Sequence, residues 1–259
     1  MTALLAATNV VHHLKDFEIA GPWFTGHHVL LILVAVVTIV AFRYAAVSIA
    51  TQPKRTGVVA LMEVGLVWVR DEIVYPWLGD KDGPKWVGFF WTQFFFILFC
   101  NLFGLFPAPL NLWQRTATGN INVTGGLAVV SLFAILFAGM KKHGRGGYWL
   151  HLVPHGVPWW LWPLVFLIEI IGLIAKPFAL TVRLFANMTA GHAILGVLVG
   201  FLWGVVHYSN PVLGSVSSVA SLGFMLFIML FEVLVGLIQA YIFTVLTAIF
   251  VSLAVAEEH

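Results

Sequence analysis

The sequence predicts an all-α polytopic membrane protein. About five membrane helices are expected, the last two long and strongly inclined, with an amphipathic helix lying along the interface. Three observations carry this prediction. Of 259 residues, 13 are Lys or Arg and 11 are Asp or Glu, 9% in all, against roughly a quarter in an ordinary soluble protein. Hydrophobic residues make up 61%, more than a soluble chain of this size can cover. Charge-free intervals recur at a length that suits a bilayer, whose hydrocarbon core of about 30 Å needs about 20 apolar residues in a helix.

This composition excludes a soluble enzyme, a disordered chain and a nucleic-acid binder. The net charge of +2 is too small for a polyanion-binding surface. Cys100 is the single cysteine, so the chain holds no disulfide framework, CxxC zinc site or iron–sulfur cluster of its own. A β-barrel would alternate polar and apolar residues, and these runs do not.

Residues 1–26 are expected to form an external N-terminal segment; they lack the basic leader and long apolar run of a secretory signal. A single membrane domain, 27–259, should follow. Its first span, roughly His28 to Ala45, falls within the interval from Glu18 to Arg43 and just beyond it. The stretch Thr56 to Trp77 is apolar but interrupted by Glu63, Arg70, Asp71 and Glu72, and is read as the interfacial amphipathic helix. Two further spans fit the intervals Lys85–Arg115 and Arg115–Lys141. Trp86 and Trp91 suit the interface belt.

From Pro158 to about Val206, and from Pro211 to about Val255, the sequence is apolar for more than 40 residues at a time. As single helices these stretches would be about 60–70 Å long, twice the bilayer core. Neither midpoint carries a turn-forming cluster, and Pro177 alone kinks a helix without reversing it. Two long inclined helices, a hairpin over 158–256 joined at HYSNPVLG, are therefore expected. Positive charge gathers at Lys54, Arg55, Arg70, Lys81 and Lys85, and again at Lys141, Lys142 and Arg145. The positive-inside rule puts these loops in the cytoplasm, the N-terminus outside and the C-terminus inside.

Between Arg145 and the closing EEH only Glu169, Lys176, Arg183 and Glu232 carry formal charge. Ionisable groups at membrane depth are costly and are functional candidates by default. Glu169, Lys176 and Arg183 recur every seven residues and form one helical stripe, with Asn187 a turn beyond. Glu232 and Gln239 are spaced alike on the last helix. Two polar stripes of this kind suit an ion or proton route; the bland reading is that they staple the helices together. That reading is weakest for Arg183. A guanidinium does not deprotonate, and its burial must be matched by a carboxylate. With few in this chain, Arg183 points to a partner subunit.

The stretch AKPFALTVRLFANMTAGH, Ala175 to His192, closely resembles the signature of subunit a of F-type ATP synthases. LIQAYIFTVLT (Leu237 to Thr247), NINVT (Asn120 to Thr124), NLFGLFP (Asn101 to Pro107) and the closing EEH also resemble that family. The likeness runs from about His27 to the C-terminus. It implies a proton-translocating stator with no catalytic chemistry in the chain itself; an N-terminus without transit-peptide character favours a bacterial cell membrane over an organellar inner membrane. Arg183 corresponds to the family's essential stator arginine, and Asn187 and Gln239 to its polar neighbours. Glu169 matches a position of the cytoplasmic-side half-channel, and His192 and Glu232 match two positions of the outer one. One common bacterial pattern has these two residue types exchanged, which leaves open which of them meets the proton first. Lys176 and Asn101 are supporting positions. The implied partners are a ring of c-subunits, peripheral stalk b subunits, the rest of the synthase and membrane lipid. Neither a cofactor nor a metal is implied.

Two other readings compete. A haem-binding oxidoreductase would need histidines at matching depth on facing spans. The pairs His12/His13 and His27/His28, and His151 with His155, sit in loops or at interfaces instead. A stand-alone channel or secondary transporter would favour internal repeats and broken helices, and no repeat is found. Gly196 and Gly200 form a small-xxx-small pair that suits close helix packing.

Overall fold

A computed structural model describes residues 26–51, 57–105, 119–153, 157–202 and 211–256. Residues 1–25, Arg115, His155, the HYSN turn and the closing EEH lie outside the described residues, with the expectations attached to them. All regular structure among the described residues is helical. It comprises α1 (Gly26–Thr51), α2 (Val58–Trp68), a π-helical turn (Val69–Val74), α3 (Tyr75–Leu105), α4 (Ile121–His143), α5 (Gly147–His151), a 3₁₀ turn (Trp159–Leu161), α6 (Trp162–Leu202) and α7 (Pro211–Val255). Five stretches are long and apolar enough to cross a membrane: His28–Thr51, Val58–Leu105, Ile121–His143, Trp159–Phe201 and Val212–Val255. The expectation of a polytopic all-α membrane protein holds.

The last two helices are continuous over 41 and 45 residues, about 60–70 Å at 1.5 Å per residue. Pro177 lies inside α6 without ending it. The absence of a Gly/Asn/Pro cluster at either midpoint has the predicted consequence: neither stretch folds back on itself.

The segment expected at the interface forms α2, and it runs into the second span through two joints. The π turn holds one residue more per turn than an α-helix and carries Arg70, Asp71 and Glu72. Gly79 then takes φ 65°, ψ −177° inside α3, a backbone state that L side chains rarely adopt. After this break the helix restarts with Pro84 near its beginning, where a missing N–H costs little. The break lets α2 pack back on α3. Trp91 Nε1 donates to the Leu66 carbonyl at 2.7 Å, Trp68 lies against Phe94 with ring centroids 5.7 Å apart, and Gly65 leaves room for the Phe95 ring. The exposed side of α2 is also apolar, with Val58, Leu61 and Val64 outward; Glu63 is the helix's one charged residue, and Arg70, Asp71 and Glu72 stand at the π turn.

The chain divides into two compact units. Unit 1 comprises Met1–Val37, Ile97–Asn120 and Leu184–Gln239; unit 2 comprises Thr38–Phe96, Ile121–Arg183 and Ala240–His259. Within unit 1, Leu30 and Val34 of α1, Ile97 and Cys100 of α3, and Leu184 and Met188 of α6 are buried. Within unit 2 the buried residues include Val69, Ile73, Phe90, Phe243 and Val251. Phe42 packs edge-on against Phe95, and Ser252 Oγ donates to the Trp77 carbonyl. Large apolar side chains such as Ile171, Phe178, Phe227 and Leu230 are exposed. A lipid solvent makes that arrangement free of the usual hydrophobic cost.

Candidate functional site

In unit 1 the polar residues converge on the α7 stretch from Glu232 to Gln239. Asn187 Nδ2 donates to Gln239 Oε1 at 3.2 Å, which ties α6 to α7 through two amides. Gln239 is only 2% exposed, and its Nε2 has no hydrogen-bond partner among the described residues. Midway between Glu232 and Gln239, the Gly236 carbonyl accepts a hydrogen bond from Asn101 Nδ2 at 3.0 Å. Asn101 is fully buried, and Gly236 has no side chain to keep it away.

Glu232 is 6% exposed, and neither carboxylate oxygen has a partner among the described residues. It lies on Gly191: a Cβ at that position would overlap the carboxylate. Glycine at 191 is thus a condition of where Glu232 sits. The next residue is His192, whose Nδ1 contacts the Met188 carbonyl at 2.9 Å. A carbonyl only accepts, so this contact fixes the proton on Nδ1 and leaves Nε2 as the basic nitrogen. Thr189 Oγ1 is a further buried atom without a partner. Buried polar atoms are nearly always satisfied, so these atoms are exceptions in the unit.

Unit 2 holds the other half of the predicted set. Glu169 is half-buried and Lys176 exposed; both line a cavity of about 370 Å³ between α4, α5, α6 and α7. The Lys176 ammonium lies 4.7 Å from the centroid of the Phe250 ring, a cation–π contact. Arg183, the last residue that α6 contributes to this unit, is exposed. On the same helix Ile174, Phe178 and Val182 are exposed as well. Arg183 has no ion pair among the described residues. A permanent cation on an apolar helix surface is costly to leave unpaired.

The sequence reading missed one polar cluster. Gln93 is buried and its Nε2 donates to Ser131 Oγ at 2.9 Å and Thr247 Oγ1 at 3.1 Å. Gln93 was visible as the one amide in WTQFFF, but its partners stand on two other helices, 38 and 154 residues away. No periodicity links them. Gly191 was missed too, since nothing in the sequence shows which acid lies over a glycine.

These features define a multi-pass α-helical membrane protein whose two longest helices carry a few separately placed ionisable groups. Residues 28–252 match the ATP synthase A chain family. The chain is 42% identical over 199 residues to ATP synthase subunit a of Myxococcus xanthus, covering 77% of this chain and 61% of that protein. It is 39% identical over 254 residues to ATP synthase subunit a of Chloroherpeton thalassium, covering 95% and 71% respectively. With ATP synthase subunit a 2 of Chlorobium luteolum it shares 39% identity over 237 residues, 90% of this chain and 66% of that protein. The chain thus spans about six- to seven-tenths of the length of these relatives. It belongs to the ATP synthase A chain family, subunit a, as its arginine-centred motif implied.

Proposed function

We propose that this chain is the proton-translocating stator of an F-type ATP synthase, in a bacterial inner membrane with its N-terminus outside and its C-terminus in the cytoplasm. Its partners are a ring of c-subunits, each with one buried carboxylate, and peripheral stalk b subunits. The observation that carries the proposal is Arg183, exposed on an apolar helix surface with no ion pair among the described residues. A rotor carboxylate passing that surface supplies the missing anion.

Electrostatics then gives the mechanism. Arg183 holds each arriving rotor carboxyl as its anion, favouring proton release. Its fixed charge also repels a hydronium ion, so protons do not pass directly between the two half-channels. One half-channel is lined by Glu169 and Lys176. The other is lined by Glu232, His192, Asn187 and Gln239, with Asn101 supporting α7 at Gly236. Protons from the second path neutralise the rotor carboxyl after it has passed Arg183, and the neutral form then turns towards lipid at low cost. Proton flow is thereby tied to rotation and to ATP synthesis.

The test is Arg183→Gln in inverted membrane vesicles holding the whole complex. Proton-driven ATP synthesis should fall to background, while ATP hydrolysis by the soluble sector persists. Synthesis at the normal rate would overturn the proposal. A stand-alone channel or transporter would purify without a c-ring, so copurification separates that reading.

A further inference from the structure

The cavity that holds Glu169 and Lys176 has a third ionisable wall. His143, the last residue of α4, lines it together with Tyr148 of α5 and Phe250 and Leu253 of α7. Nothing in the arginine motif points to this histidine. It stands in the loop sequence MKKHGRGG, after Lys141 and Lys142, at the end of the span where positive charge gathers. Its side chain is half-buried, whereas Lys141 and Lys142 beside it are exposed. At about 370 Å³ the cavity is many times larger than one water needs, so His143 and Glu169 can be linked through water.

Local packing gives this wall a defined shape. Gly144 takes φ 77°, a left-handed state that reverses the chain directly after His143. The Tyr148 amide then donates to the Gly144 carbonyl at 3.1 Å, starting α5. The Tyr148 ring lies on Gly139, where a Cβ would overlap it. The α4–α5 corner is therefore clamped between a glycine that turns and a glycine that receives the ring. Burial pushes the Tyr148 phenol up from its ordinary range, so it stays a neutral donor.

The charged groups around His143 come from each neighbouring element. Lys141 and Lys142 precede it on α4, and Arg145 follows. Lys142 also acts on Asp82, whose carboxylate accepts from Lys85 Nζ at 2.7 Å. Across the cavity α6 presents Glu169 and Lys176. From α7 the wall includes Ala254 and Ala256, and Glu257, Glu258 and His259 follow in the sequence. Among the described residues lining the cavity, Glu169 is the one carboxylate and His143 the one imidazole. Lysines and arginines hold their protons too firmly to pass them on near neutrality, whereas an imidazole exchanges protons readily there.

We propose that His143 is the proton-exchanging residue at the cytoplasmic mouth of the Glu169 cavity, passing protons between Glu169 and bulk water. This inference rests on the half-channel reading of Glu169. In the direction of synthesis, the Glu169 carboxyl gives its proton through cavity water to a neutral imidazole nitrogen of His143. The imidazolium loses the proton on its other nitrogen to bulk water, and Glu169 remains as the carboxylate. In the direction of ATP-driven pumping the same transfers run in reverse.

Chemical rescue tests this on the intact complex in inverted vesicles, where the cytoplasmic face meets the bath. His143→Ala should slow ATP-driven proton pumping about tenfold, less than the roughly 100-fold or more of a positioned acid–base group in a closed site, because cavity water still carries part of the exchange. Imidazole added to the bath should restore much of the rate, because the small buffer reaches the cavity; choline at equal ionic strength should not. His259→Ala serves as a control and should pump normally. Assembly is checked by the amount of c-ring that copurifies, so a misfolded variant is recognised as such. Normal pumping by assembled His143→Ala overturns the inference, as does a slow variant rescued by His143→Lys and not by imidazole, which marks a purely electrostatic role. Glu169→Gln keeps the two proposals apart. If that variant pumps normally the half-channel reading fails, whatever His143 does. If it is slow while His143→Ala is normal, only the role of His143 is lost.

Discussion

The two compact units of this chain handle polar groups in opposite ways. Every described lysine and arginine lies in unit 2, whereas Glu232 is the one formally charged residue described in unit 1. The contrast extends to neutral groups. In unit 2 the buried hydroxyls of Ser131, Thr181, Thr244 and Thr247 each donate to a carbonyl one turn back on their own helix. Of the five buried side-chain atoms without a partner among the described residues, four belong to Thr189, Glu232 and Gln239 in unit 1. In a bilayer an unsatisfied polar group is expensive. Both units tie helices together through amides, but unit 1 leaves several buried polar atoms unpaired among the described residues, both oxygens of its acid included. That difference fits proton exchange concentrated at Glu232.

The sharpest way to break the comparison is to remove the acid. Glu232→Gln keeps the size and burial of the side chain and abolishes its exchangeable charge. Proton-driven ATP synthesis in membrane vesicles should drop by about 100-fold, the lower range for loss of a positioned proton-transfer group. Glu232→Asp should fall between the variant and the parent. Normal synthesis by Glu232→Gln would reduce the contrast between the units to one of composition.

A smaller effect is expected one contact away. In Gly191→Ala the added Cβ meets the Glu232 carboxylate, which must move while its chemistry stays intact. Misplacement of a reacting group by about 1 Å can cost up to about 100-fold, but a carboxylate on a flexible stem can shift. We expect about a tenfold loss of proton pumping with normal assembly. Combining Gly191→Ala with Glu232→Asp, which shortens the acid by one methylene, should recover part of it. If the double variant is no better than Gly191→Ala, the glycine acts through helix packing.

Much of this was legible in the sequence, and the limits follow from what the sequence encodes. Charge-free intervals fix where helices cross lipid, because the bilayer's thickness sets a length and its dielectric excludes charge. The continuity of α6 and α7 followed from missing turn residues. Arg183 stood out because so few charges share its stretch. By contrast, the π turn at Val69–Val74 and the break at Gly79 fall inside an apolar run where the hydropathy hardly changes. Glu232 lying on Gly191, and Gln93 reaching Ser131 and Thr247, depend on the register between helices far apart in sequence. Periodicity along one helix carries no information about that register.

The smallest effect should come from unit 2's own buried amide, and it checks the stapling side of the contrast. Gln93 bonds to Ser131 and Thr247, a contact between three helices that looks important on burial alone. Both hydroxyls, however, already donate to backbone carbonyls, Ser131 to Leu127 and Thr247 to Phe243. Removing the amide leaves neither hydroxyl donor unsatisfied, and it also removes Gln93 Oε1, which has no partner among the described residues. Interhelical hydrogen bonds in membranes average about 0.6 kcal/mol, so Gln93→Leu should change stability by less than about 1 kcal/mol. Proton pumping should be unchanged, and the detergent-solubilised complex should unfold at nearly the parent temperature. A loss of pumping comparable to Gly191→Ala would show that unpaired amides conduct in both units, and the division between a stapled and an exchanging unit would then fail.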